Sequence, residues 1–162
     1  PGAPDGKMLD ERPGIKKVTY LAEIYSKMHM AIIPHETYVT NENIADLSFL
    51  HYIFLCVDKN AVRGLITKGL LKTGILFIDT GLGIEKKNEQ LIGAVRITTG
   101  NTIKNDHLPL RIGETDFENK EYATNIQIAD LNCLNAALAV IKWKKVVGFY
   151  QDLKNEHHML QQ

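Results

Sequence analysis

Apolar positions along this chain follow two different rhythms. Ile15, Val18, Leu21, Ala22, Tyr25 and Met28 recur at intervals of three and four, which predicts a helix ending before Pro34. Residues 35–40 alternate loosely and predict a short strand, and residues 41–47 predict a short helix capped by Asn41 or Asn43. Residues 52–57 (Tyr-Ile-Phe-Leu-Cys-Val) are apolar throughout and end abruptly at Asp58. A helix is predicted from Asn60 to about Lys72, closed by Gly74, and a second apolar strand over residues 75–78 ends in Asp79-Thr80-Gly81. Continuous apolar runs between turn residues predict strands buried on both faces of a parallel sheet. Strand, helix and strand joined by short loops form a βαβ unit.

The pattern then changes. A charged turn over residues 85–89 leads to a more alternating strand, residues 91–99, predicted to be antiparallel. Residues 100–121 are polar and aperiodic, and a loop of that length is usually functional or mobile. The last helix, about residues 126–149, is apolar nearly all round between Leu131 and Ile141, which predicts that it is largely buried. Residues 1–13 read as a loop and residues 151–162 as a polar tail, leaving residues 1–150 as the folded body. The fold class expected is α/β: a partial Rossmann-like domain with a mixed, mostly parallel sheet flanked by helices.

Composition narrows the possibilities modestly. The 162 residues are 44% hydrophobic and 23% charged, ordinary for a soluble globular chain. Lys plus Arg equals Asp plus Glu at 19 each, so no bulk attraction to nucleic acid or to an anionic membrane is expected. No apolar stretch approaches the length of a membrane span. Cys56 and Cys133 sit inside apolar runs with no CxxC spacing, so they are expected as packing residues in a reducing, cytoplasmic setting. The histidines are scattered without ligand spacing, and His157-His158 falls in the polar tail. The opening Pro1-Gly2-Ala3-Pro4 has no initiator methionine, from which processing, proteolysis or trimming is expected.

Asp58 is the residue with the most chemical promise. In open parallel sheets ligands bind outside the carboxyl ends of strands, which is where a strand-end aspartate meets a nucleotide or its metal. The plainer alternative makes it the N-cap of the following helix, accepting otherwise unpaired backbone N–H groups. Arg63, five positions on, either braces Asp58 or the sheet edge, or is a helix-surface residue or a structural ion pair. Asp79 also ends a predicted strand and is a second candidate, though Thr80-Gly81 reads as a simple turn.

Several of these segments resemble the ThiF/MoeB superfamily, the ubiquitin-activating-enzyme-like adenylyltransferases that adenylate the C-terminal glycine of ubiquitin-like proteins. Gly14-Ile15-Lys16-Lys17-Val18 resembles the family segment whose lysine reaches the ATP phosphates. The stretch around Pro34 resembles its Asn-Pro-and-strand segment, with Ile33 in the asparagine's place. Val57-Asp58-Lys59-Asn60-Ala61-Val62-Arg63 resembles its strand-end Asp followed five positions later by Arg, and is the most specific match. Gly74 to Phe77 and Gly93 to Arg96 resemble the next two strands, and the run from Asn125 through Trp143 looks like a bacterial ThiF-type subgroup.

The resemblance implies ATP and Mg²⁺ as cofactors, Asp58 and Arg63 as catalytic residues, and Asp58 as the metal ligand. It further implies that Lys17, with Lys16 as competitor, meets the phosphates and that Asn60 orients water. The partners implied are a ubiquitin-like or sulfur-carrier protein and a second copy in a homodimer, with residues 100–121 as a lid over the carrier's tail. The family's glycine-rich loop, its acidic residue ending the second strand, the Asn/Arg pair after it and its paired CxxC motifs have no counterpart in this chain. The expectation is therefore a fragment, inactive alone, whose nucleotide-binding half lies in a missing N-terminal segment or a second chain. A non-catalytic protein-binding module of the same fold is the alternative. A NAD-dependent Rossmann enzyme is disfavoured, because its glycine fingerprint and ribose-binding acid are missing.

Overall fold

The computed structural model describes residues 12–112 and 128–161. The chain divides into two compact units, Pro1–Val39 and Thr40–Gln162. The first holds α1 (Lys17–Tyr25), shorter than the apolar period predicts because Ser26 and the turn after it end the regular backbone. Tyr20 is its one buried residue among those described. An ion pair joins Arg12 to Glu23 (Nη2 to Oε1 2.9 Å), and Thr19 hydrogen-bonds Glu36. Val18, Tyr25, Ile32 and Ile33 remain exposed around a shallow hollow. Residues 35–40 form no strand.

The second unit contains a 3₁₀ helix (Ile44–Phe49), β1 (Tyr52–Leu55), α2 (Asn60–Thr73), β2 (Leu76–Lys87), β3 (Gln90–Gly100), α3 (Leu108–Arg111), α4 (Ala129–Val146) and β4 (His158–Gln161). The four strands lie in sequence order, β1-β2-β3-β4. Only β1 and β2 are parallel, in the register Tyr52↔Leu76 to Leu55↔Asp79; β2–β3 and β3–β4 are antiparallel. The sheet is thus mixed and flanked by helices, but not mostly parallel as expected. The reason lies at Asp79-Thr80-Gly81, read as a strand end. The backbone runs straight through it to Lys87 and returns as β3 through Asn88 (φ 49°) and Glu89 (φ 63°). Two consecutive left-handed residues make the tight hairpin turn whose twist matches its strands.

Gly74 ends α2 in the left-handed region (φ 79°), where its N–H reaches Leu70 O at 3.0 Å; a side chain would be strained there. Phe77, Ile78 and Leu70 are fully buried, and Ile97 nearly so. Strand alternation puts Phe77 and Asp79 on one face, while Ile78 packs with Ile97 and Ala139 of α4 on the other. Strand β1, expected to be buried on both faces, leaves Tyr52 and Phe54 more than a third exposed at the sheet's edge. Helix α4 is likewise not largely buried: Asn135, Ala139 and Lys142 form one covered stripe, while Leu134, Val140 and Ile141 are 40–43% exposed. Cys56 and Cys133, expected in the core, are both exposed. The expected polar tail ends in a strand: His158–Gln161 pair with Val95–Thr98, and Met159 packs against the Ile78–Ile97–Ala139 cluster. Residues 1–11, the start predicted for the last helix at Ile126, and the predicted loop beyond Ile112 lie outside the described residues.

Phe77 carries the largest fully buried side chain. Phe77→Ala is therefore expected to lower the unfolding free energy by roughly 3–5 kcal/mol in urea titration. Leu153→Ala, at a residue 82% exposed, is expected to change it by less than about 0.5 kcal/mol.

Candidate functional site

Asp58 lies three residues beyond the carboxyl end of β1 and two before the first residue of α2. Its side chain is exposed. The capping role open to it in the sequence is not the one it plays. Lys59 occupies the cap position (φ −85°, ψ 123°), and no side chain there accepts the helix's free N–H groups. Among the described residues, none forms a hydrogen bond or ion pair with the Asp58 carboxylate. One unengaged negative charge thus projects from the end of a parallel strand.

Arg63 takes the structural ion-pair place open to it in the sequence, not the catalytic one the resemblance implies. It is 8% exposed and turns inward from the first turn of α2, so its guanidinium cannot meet a ligand at the surface. Its Nε lies 2.9 Å from Asp79 Oδ1, its Nη1 donates to Asn60 Oδ1 at 2.8 Å, and its Nη2 donates to Val57 O and, at 3.4 Å, to Thr80 O. One buried cation therefore ties the start of α2, the backbone just before Asp58, and β2 together. Arg63 is a positioning residue for the loop that presents Asp58. Asn60 belongs to the same bracket as acceptor for Arg63.

Asp79 is fully buried in mid-strand and meets a second guanidinium, Arg96 of β3, at 2.7 Å from Oδ2. Arg96 Nη1 in turn donates to Arg111 O at the end of α3. The arginine crosses over Gly81, where a Cβ would come within 2.8 Å of its Nε and Nη2; the glycine makes room for it. Asn135 of α4 donates to Gly81 O at 3.1 Å. Burial pushes the Asp79 carboxyl up to about 6, against the opposing pull of Arg63 and Arg96. Burial also lowers the Arg96 guanidinium. Asp79 entered the sequence reading only as a strand-end candidate, and Arg96 only within a resembling strand. A readable signal was there: one acid and one base, each enclosed by apolar residues on adjacent strands, have only each other to neutralise them.

Lys17 is exposed at the first residue of α1, with Lys16 at its cap, and both belong to the first unit; Asp58, Asn60 and Arg63 belong to the second. Among the described residues no group of three or more His, Cys, Asp or Glu side chains gathers as a metal cage. No described helix is long and apolar enough to cross a membrane. Compared with protein-family models and with curated proteins, the chain matches none.

The titration of Asp79 gives a signed expectation. Its carboxyl ionises near 6 when folded and near 3.8 when free, so the folded state holds the extra proton between those values. The stability it contributes is complete below 3.8 and is lost as pH rises through about 6. The unfolding free energy of the wild type minus that of Asp79→Asn is expected to fall by roughly 3 kcal/mol between about pH 4 and pH 8. Urea titrations across that range check it, and a difference that rises with pH contradicts it.

Proposed function

We propose that this chain is the part of a ThiF-like adenylyltransferase that presents the metal-binding carboxylate, and that the protein it belongs to activates the C-terminal glycine of a ubiquitin-like or sulfur-carrier protein. The observation that carries this reading is Asp58 itself: an exposed carboxylate past the end of a parallel strand, neither capping a helix nor paired. A solvated carboxylate of this kind costs the fold little and keeps its oxygens free for a ligand.

The chemistry follows from what adenylation needs. The carrier's terminal carboxylate attacks the α-phosphorus of ATP and pyrophosphate leaves, so negative charge builds on phosphate oxygens. Mg²⁺, when bound, offsets that charge on the leaving group. It favours hard oxygen ligands and is usually held by one or two carboxylates alongside phosphate and water, a demand that a single free Asp58 fits. Arg63 keeps the Val57 carbonyl and the start of α2 fixed, so Asp58 is offered from a rigid loop. The sequence has no glycine cluster between an apolar strand and a helix, so the phosphate cradle is assigned to residues outside these 162. The same proposal includes a cytoplasmic homodimer.

A non-catalytic protein-binding module is the second reading, favoured by the outward apolar row Leu134, Val140 and Ile141 on α4. ATP–pyrophosphate exchange in the protein that carries this chain separates the two. Asp58→Asn is expected to reduce exchange by about 10²-fold or more while leaving the melting midpoint unchanged. Arg63→Met is expected to reduce both, since removing one partner of a buried ion pair costs about 3–5 kcal/mol. Exchange at the wild-type rate in Asp58→Asn rejects the site. Absence of exchange in the wild type, with the carrier protein still bound, supports the module.

A further inference from the structure

The last described strand is attached to the sheet through histidines. His158 Nδ1 lies 2.8 Å from Thr98 Oγ1, His157 Nδ1 lies 3.1 Å from Thr99 Oγ1, and Thr99 N–H donates to His157 O at 2.9 Å. A third histidine comes from the turn before α3: His107 Nε2 is 2.8 Å from Thr99 O, and its ring centroid is 5.8 Å from that of His157. Both threonines are buried, at 0% and 2% exposure, so these contacts sit against the interior. The rest of the attachment is small: four ladder pairs and Met159.

The chemistry of the cluster favours neutral rings. A carbonyl only accepts, so His107 Nε2 carries the proton in the bond to Thr99 O. Its Nδ1 is then bare, buried and without a hydrogen-bond partner. Asp106 Oδ1, 3.8 Å away, is the acid nearest to it. That carboxylate is 73% exposed and already paired with Lys104 at 2.7 Å. A threonine hydroxyl rotates to donate or accept, so the bonds of His157 and His158 survive protonation; their surroundings oppose the charge. Arg96 faces them from β3, Lys104 and Arg111 from either side of His107, and Lys142 from α4. Asp152 is the acid facing His157, and it is held by Lys142 at 2.8 Å. Glu156 next in the chain pairs with Lys154 at 3.5 Å.

We propose that β4 is a proton-released clasp: it stays on the sheet while His157 and His158 are neutral, and it lets go of β3 when they take up protons together. Burial, and then the neighbouring cations, hold the His157 and His158 imidazoles below the usual 6.5. A histidine whose folded value is depressed contributes stability above 6.5 that is lost as pH falls below it. Release is therefore an acid-side event. It uncovers the edge of β3 from Val95 to Thr98 while β1, β2 and the hairpin keep their pairing.

Hydrogen exchange of the full chain at about pH 7.5 and about pH 5, corrected for intrinsic rates, tests the clasp. The expected result is a roughly tenfold or greater loss of protection at acid pH in residues 95–99 and 158–161, with residues 76–79 unchanged. The double variant His157→Gln/His158→Gln, which keeps polar groups and cannot take the charge, is expected to keep its protection at both values. Equal protection in the wild type at both values overturns the proposal. So does a loss spread evenly over the sheet, or one of full size in a folded double variant. If that variant fails to fold, an NMR titration of the wild type decides. Ring shifts of His157 and His158 that move together with the Met159 and Leu160 amides support the clasp, and ring shifts that move without them overturn it.

Discussion

The placement of everything near Asp58 depends on one carboxylate that never reaches the surface. Asp79 sits inside the sheet with a guanidinium on each side, Arg63 from α2 and Arg96 from β3. Removing three charges from water is costly, and the cluster offsets this by pairing opposite charges and by aiming the remaining guanidinium donors at groups on other segments. Arg63 spends its remaining donors on Val57, Asn60 and Thr80, and Arg96 on the last carbonyl of α3. Helix, parallel strand, hairpin strand and α3 are therefore fixed by one electrostatic knot. The loop bearing Asp58 inherits its rigidity from that knot, not from a cap or from packing.

Elements with a strong local signal were legible in the sequence. The strand–helix–strand stretch from Tyr52 onward, its closure at Gly74 and the antiparallel return along β3 all follow from apolar runs and turn residues. Two kinds of feature were not legible. Asp79-Thr80-Gly81 has the composition of a turn, yet the backbone passes straight through it, because Arg63 and Arg96 neutralise the aspartate and Gly81 admits the arginine. The short β4, with His158 at its start and His157 just before it, has no period to read; its strand character comes from backbone pairing with Val95–Thr98. For the site, the position of Asp58 was visible, but its relation to Arg63 was not. Five residues of spacing leave open whether the guanidinium turns outward to a ligand or inward to a buried acid, and the acid lies on another strand.

Two proton-sensitive groups of opposite sign flank β3, Asp79 on β2 and the histidines at β4. Asp79 favours the protonated form within the fold, whereas His157 and His158 favour the neutral form. Acidity therefore acts in opposite directions on the two groups, with Arg96 adjoining both. Local opening and global unfolding respond differently to the same change in pH, as expected where parts of a sheet differ in stability.

At the opposite margin, β1 has β2 as its sole neighbour among the described strands, so one row of its amide and carbonyl groups meets no strand. Tyr52 and Phe54 flank that row, leaning toward Trp143 with ring centroids 4.9 and 6.3 Å away. Bare strand margins lined with aromatic side chains invite foreign chains to add on, and long ones seed aggregates. At four residues, this one is short enough to limit such growth but long enough to reward whatever polypeptide shields it. What shields or joins the sheet of the second unit on that side is thus decided along one narrow ledge.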